Sequence, residues 1–286
     1  MTEPSIEPEI AGPKPIVHGV ASALSPLVRR IVARNPGLMT GPGTNTYLVG
    51  IDEIVVIDPG PDDDAHLEAI AGCGGDRIRW IVCTHTHPDH FPGVAGLKER
   101  TGAEVLAFDA RDGLSIDRAL DDGDLIEATE FVLRAVHTPG HASNHLCFLL
   151  EQERMLFSGD HIMEGSTVVI RPPDGDMAAY LAQLERLKLL RPRLRSIAPG
   201  HGHLIDKPAA KIDEYLQHRA MREDQIVGEL DAAGSTTVDA IVEQLYTETP
   251  EDLLPMAAAT VWAHLLKLRD EGRARGEGLQ GEWSAA

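Results

Sequence analysis

Residues 80 to 90 run Trp-Ile-Val-Cys-Thr-His-Thr-His-Pro-Asp-His, an apolar stretch of β-formers that stops abruptly at three histidines and an aspartate. Such a stretch predicts a buried strand, Ile78 to Val82, that delivers polar side chains at its C-terminal tip. His85 and His87 are two apart, so on an extended backbone they point the same way and can share one ion. Pro88 cannot continue a central strand. The chain therefore turns there and aims Asp89 and His90 elsewhere, which suits two metals side by side. Imidazole and carboxylate donors with no cysteine among them favour zinc or another first-row divalent ion, with a surface histidine cluster as the plainer alternative.

The same pattern recurs three times. Val132 to Val136 leads into His137-Thr-Pro-Gly-His141, Met155 to Phe157 into Ser158-Gly-Asp160-His161, and Ser196 to Ala198 into Pro199-Gly-His201-Gly-His203. Glycine ahead of a ligand permits a tight turn and a close backbone approach. One such segment would be a turn and nothing more; four in one chain point to one shared site.

The 286 residues suit one large domain, or one of about 200 residues with a small companion. A net charge of −19 repels polyanions, so any nucleic acid would have to be met by a local patch and by the metals themselves. Cys73, Cys83 and Cys147 are irregularly spaced and form no disulfide framework, as expected of reduced thiols. The first ten residues are acidic and proline-rich, unlike a signal peptide, and no apolar run reaches bilayer-spanning length. These features predict a cytoplasmic protein without a membrane partner.

Residues 1–15 read as a flexible arm, 16–210 as a catalytic domain, and 211–286 as a helical linker with a second small domain. A long helix is expected from Lys207 to about Leu230, then two more at Thr237 to Tyr246 and Leu253 to Asp270, and a hairpin within 272–283. Three helices and a hairpin outline a winged helix. Residues 212–286 hold six Lys and Arg against fifteen Asp and Glu, a balance that speaks against duplex DNA. Asp58, closing the strand Glu53 to Ile57, can either orient a ligand or cap the next helix.

Thr84-His85-Thr-His87-Pro-Asp89-His90, followed by His141, Asp160 and His201, resembles the H-x-H-x-D-H, H, D, H signature of the metallo-β-lactamase superfamily. With Gly43-Thr-Asn-Thr-Tyr47, Phe157-Ser-Gly-Asp160, Pro199-Gly-His-Gly202 and the C-terminal helices, the chain is similar to the β-lactamase-like protein 2 family. Members of that family pair the superfamily domain with a winged helix, and some are single-strand endoribonucleases. The resemblance implies an α+β fold: a four-layer αββα sandwich with metals at one edge between two sheets, and a small C-terminal winged-helix-like domain. It implies that His85, His87 and His141 bind a first ion, that Asp89, His90 and His201 bind a second, and that Asp160 bridges them. The ions would be two Zn2+, with Mn2+ or Fe2+ as alternatives, and a hydroxide between them the nucleophile.

On that reading Asp89, Asp160 and His145 are the catalytic candidates, His145 as proton donor to the leaving group, with His137, His161 and His203 as rivals. Aspartate at 160, where exported β-lactamases of the best-known subclass carry cysteine, argues against antibiotic hydrolysis. Histidine at 87, where redox di-iron members carry glutamate, argues against oxygen chemistry. Two substrate classes follow. Single-stranded RNA leads by resemblance, with Arg29, Arg30, Arg34, Arg171, Lys207 or Lys211 forming a local groove. The alternative is a small ester, thioester or lactone, as in glyoxalase II, which the acidic surface does not penalise. The tail would contact substrate or the second subunit of a homodimer.

Overall fold

The structure is a computed structural model that describes residues 15–286, so the expected N-terminal arm lies outside the described residues except for Pro15. A first sheet runs in chain order: β1 (Ser22–Ala23), β2 (Val28–Val32), β3 (Asn45–Val49), β4 (Ile54–Ile57), β5 (Ile78–Val82), β6 (Glu104–Ala107) and β7 (Arg118–Ala119). Pairing is antiparallel up to β4 and parallel from β4 to β7. Parallel neighbours need crossovers, and α1 (Asp64–Gly74) and α2 (Val94–Thr101) supply two of them. A second sheet holds β8 (Leu125–Glu127), β9 (Val132–His137), β10 (Leu146–Leu150), β11 (Met155–Gly159) and β12 (Ser196–Pro199), in the order β12-β11-β10-β9-β8. Only β11 and β12 pair in parallel within it.

Both sheets are buried on both faces, which is why their strands read as unbroken apolar runs. Alternate residues go to different cores. Tyr47, Val49, Val55, Ile57 and Val82 meet Leu133, Leu146, Phe148, Leu150 and Phe157 between the sheets. Leu48, Ile54, Val56 and Ile81 face outward onto Leu67, Ile70 and Leu97 of α1 and α2. On the other side Cys147, Leu149, Leu156 and Ile197 pack against α3 (Met177–Lys188) and the first half of α4 (Pro208–Ala233). Helix, sheet, sheet, helix is the four-layer arrangement expected. Each large side chain so buried contributes roughly 1.5–3 kcal/mol, which makes the strand tips that carry the histidines and aspartates the ends of rigid elements.

The C-terminal part holds α5 (Val238–Leu245) and α6 (Leu254–Asp270) with a small sheet of β13 (Thr236–Thr237), β14 (Ala274–Gly276) and β15 (Glu282–Ala285), ordered β13-β15-β14. Trp283, 1% exposed, anchors this unit and donates its indole N–H to the Gly278 carbonyl at 3.0 Å. The expected boundary at 210/211 lies in the first turn of α4, the long helix expected to act as the helical linker. That helix is shared: Ile212 and Tyr215 belong to the core under the second sheet, Ile226 and Leu230 to the C-terminal core. Glu223 on α4 also binds Lys267 at 2.9 Å and Arg273 at 2.8 Å, tying α4 to α6 and the hairpin. No helix among the described residues is long and apolar enough to cross a membrane.

Candidate metal centre

All seven expected ligands come together where the two sheets meet. β5 ends at Val82 and delivers His85 and His87; a turn closed by the His90 N–H on the His87 carbonyl at 3.0 Å swings Asp89 and His90 beside them. His141 comes from the loop between β9 and β10, Asp160 from the end of β11, and His201 from the end of β12. Three overlapping triads result, His85/His87/His141, His85/His90/Asp160 and Asp89/His90/His201, with the donor atoms of each within 4.8 Å of one another. His87 offers Nδ1, 2.9 Å from Nε2 of both His85 and His141. Asp160 lies between the two histidine groups. Its Oδ1 is 3.4 Å from Nε2 of His90 and of His201, and its Oδ2 is 3.9 Å from Nε2 of His141.

These residues fit divalent metal. Nε2 of His90, Nε2 of His201 and Oδ1 of Asp160 are buried without a hydrogen-bond partner, because the carboxylates at 3.2–3.4 Å are not aligned as acceptors. Leaving three such atoms orphaned would cost about 1–3 kcal/mol apiece, and a cation satisfies all of them together. The charge pattern agrees. Burial, with the imidazoles of His90, His145 and His87, holds His85 well below its ordinary range, so it stays a neutral ligand. Burial also works against charge on His201, but Asp160 and Asp89 overcome it and hold that imidazole up to about 9, the preference for positive charge that an ion would replace.

The outward nitrogens of four of the five histidines are occupied, which fixes those rings. His85 Nδ1 meets Thr84 Oγ1 at 3.0 Å, His141 Nδ1 the Val169 carbonyl at 2.8 Å, and His201 Nδ1 the Gly43 carbonyl at 3.2 Å. His90 Nδ1 meets Asp58 Oδ2 at 2.9 Å. Asp58 thus orients a ligand, while Asp63 caps α1 through the His66 N–H. Asp58 also accepts from Thr84 N–H and Thr84 Oγ1, both at 2.7 Å, and does so from a left-handed backbone, φ 52°. Strain of that kind persists only where the surroundings fix it. Gly200 is required by crowding: a Cβ there would stand 2.6 Å from Asp160 Oδ1 and 2.8 Å from His90 Cε1.

The histidines expected as proton donors are placed differently. His145 is fully buried behind Asp160, its Nδ1 bonded to Thr138 Oγ1 at 2.9 Å and its Nε2 accepting the Asp160 N–H at 3.3 Å. Both ring nitrogens are engaged, so its place suits holding Asp160. His161 is also fully buried, against Tyr180, and burial followed by His141 pushes it down to about 3. His137 stacks on Phe108 with ring centroids 4.2 Å apart.

A cavity of about 570 Å³ opens from His87, Asp89, His141 and Asp160 and is walled on its far side by α4, Tyr246 and the start of α6. Val168, Val169, Met163, Met256 and Ala257 make much of its lining apolar. Of the six basic residues expected to form a groove, Arg171 lines it. Arg30 is spent on the Gly202 carbonyl at 2.8 Å and Arg29 on the Gly50 carbonyl. Two further cations reach it, Arg219 and Arg222, on the face of α4 turned to the cavity. A helix alternating charge and apolar residues gives no sign of which charges are covered by a neighbouring unit.

Comparison with known proteins agrees with this geometry. Residues 39–201 match the Metallo-beta-lactamase superfamily, and residues 237–283 match the Beta-lactamase associated winged helix domain. The chain is 35% identical over 272 residues to a beta-lactamase-like protein 2 homolog of Drosophila melanogaster, covering 88% of this chain and 91% of that one. It is 30% identical over 249 residues to an atrochrysone carboxyl ACP thioesterase of Aspergillus fumigatus, covering 80% and 76%. Among solved structures it resembles a beta-lactamase domain protein from Burkholderia ambifaria, with a TM-score of 0.82 and 21% identity over 96% of this chain and 95% of that one.

Proposed function

Since the chain belongs to the metallo-β-lactamase superfamily and carries its associated winged helix, we propose that it is a binuclear zinc hydrolase of small esters or thioesters. The cavity carries this reading. At about 570 Å³, largely apolar and ending on the His and Asp cluster, it has the size and lining of a small-molecule site rather than of a groove for a polyanion. The net charge of −19 on the whole chain disfavours a phosphodiester backbone as well. A relative named as a thioesterase supports it.

Two divalent ions, when bound, supply Lewis acidity toward a carbonyl and a nucleophile from water at neutral pH. The chain does the rest. His85, His87 and His141 would hold one ion, Asp89, His90 and His201 the other, with Asp160 between. Asp89, whose side chain stays 26% exposed against 12% for Asp160, is the more open of the cluster's two carboxylates and stands where it could take the proton of the attacking water and pass it to the departing alkoxide or thiolate. Val168, Val169 and Met163 exclude water from an apolar acyl or thiol portion.

A second reading, cleavage of single-stranded RNA, is motivated by the similarity to β-lactamase-like protein 2 homologs. The zinc-loaded protein should be offered a panel of acyl thioesters and a fluorescent single-stranded RNA in parallel. Turnover of a thioester orders of magnitude above RNA cleavage is expected. RNA cleavage with no thioester turnover would overturn the small-molecule assignment.

A further inference from the structure

The cavity has a second chemical end. Arg219, Arg222 and Arg171 all line it, and among the described residues none of the three pairs with a carboxylate. Arg219 is only 2% exposed, so its charge has been taken out of water, and an uncompensated buried charge is costly. One of its nitrogens donates to the Val168 carbonyl, its guanidinium lies 5.4 Å from the Tyr180 ring centroid, and its Nε hydrogen is unbonded. Arg222 is held over Tyr246 at 4.2 Å and donates to the Leu245 carbonyl at 3.1 Å, again with Nε unbonded. Tyr180 and Tyr246 are themselves held neutral by burial, so neither supplies a counter-charge. His218 beside them is depressed by burial and then by Arg219 and Arg222, a sign that the local potential is positive.

We propose that these arginines form an anion-binding subsite, and that the substrate is an ester or thioester carrying a carboxylate or phosphate at the end remote from its scissile carbonyl. This rests on the hydrolase reading above. The spacing is set by one strip of chain: the Val168 carbonyl receives Arg219, and the next carbonyl, of Val169, receives the ligand His141. Guanidinium and cluster therefore contact two consecutive residues, which keeps them within about 10–12 Å of each other, inside the reach of a chain of about six carbons with hydrogen-bonded contact at one end. Planar guanidinium groups already fixed by stacking and carbonyl contacts are preorganised for such a group. Apolar walls between the two polar ends fit the intervening chain.

The test uses two matched substrate pairs with the zinc-loaded protein. Adipoyl and hexanoyl thioesters of N-acetylcysteamine differ by a terminal carboxylate; the hexanoyl thioesters of 4-mercaptobutyl phosphate and of 4-mercaptobutanol place the anion on the thiol side at a matching reach. One acidic member is expected to exceed its neutral partner by about tenfold or more in kcat/KM, expressed in KM, and which pair shows it identifies the anion. In Arg222→Gln that ratio should fall towards one, with Arg222→Lys retaining part of it. Arg222 is half-buried, so this variant keeps its fold where Arg219→Gln could lose it. Equal rates within both pairs, or a preference that survives Arg222→Gln, would overturn the subsite. Should none of the four thioesters be hydrolysed, the hydrolase reading fails, and calorimetry judges the subsite separately. Adipate or inorganic phosphate binding more weakly to Arg222→Gln than to the wild type supports it, whereas equal binding assigns the anion to the metals alone and refutes it.

Discussion

Replacing Asp58 by asparagine tests whether the metal ligands are held by the partners assigned to them. The substitution keeps volume and tolerance of the left-handed backbone at φ 52°, and one oxygen can still accept the Thr84 N–H now made at 2.7 Å. The other position becomes an NH2 facing two donors, Thr84 Oγ1 at 2.7 Å and His90 Nδ1 at 2.9 Å. Losing the acceptor on a ligand's outer nitrogen lowers metal affinity about 10–100-fold, or about 1.4–2.7 kcal/mol. Asp58→Asn should therefore weaken metal binding by that factor while leaving most of the folding stability in place. Asp58→Ala strips all three contacts from a site where Thr84 is 1% exposed, and should also lower unfolding free energy by about 2–4 kcal/mol. Competition against a chromophoric chelator gives the first quantity and urea unfolding of the metal-free protein the second. An Asp58→Asn variant that binds metal as the wild type does would refute the assignment.

Three further outcomes are expected. Gly200→Ala forces a Cβ against Asp160 and His90 and should weaken metal binding about tenfold or more, whereas Gly228→Ala, with open space around it on α4, should stabilise the fold by about 0.5–1 kcal/mol. His66 is pushed down to about 4, by burial more than Asp63 restores, and accepts or donates at Thr46 Oγ1 over 2.9 Å. Because its folded value lies below the unfolded one near 6.5, its contribution is whole above that pH and is lost between about 6.5 and 4, amounting to about 3 kcal/mol. Urea unfolding at pH 7 and pH 4 should show that loss shrinking in His66→Gln; an unchanged difference would exclude His66 as its source. Glu223→Gln should loosen the bonds to Lys267 and Arg273 and raise hydrogen exchange in α6 and β14, and unaltered exchange there would deny α4 its coupling role.

The strands and the cluster of His and Asp side chains at their tips were legible because two strong local signals coincide, unbroken apolar runs and polar residues at their ends behind small ones, while the four-layer sandwich came from the resemblance to the superfamily. Strand limits followed to within a residue or two, as at β4, β5 and β9, since burial on both faces leaves little ambiguity. β1, β7 and β13, two residues each, carry no period to detect. The orientation of the rings was less visible. His141 and His201 lean on carbonyls of Val169 and Gly43, and a backbone carbonyl leaves no mark in side-chain identity. The proton-donor expectation for His145 came from its nearness in sequence to His141, whereas β10 begins there and carries it into the interior. The cavity was hidden for another reason. Its far wall is brought to the His and Asp cluster by α4 running through both cores, and Arg219 and Arg222 read in isolation as an ordinary solvated helix face.

The central claim is that these seven side chains hold two ions which act as one unit, and metal content measured by mass spectrometry alongside hydrolysis tests it directly. The wild type should carry two equivalents of divalent metal, and Asp160→Ala, which removes the carboxylate lying between the two histidine groups, should lose occupancy and activity together. Full activity in Asp160→Ala, or an active wild type with a single equivalent, would contradict the account.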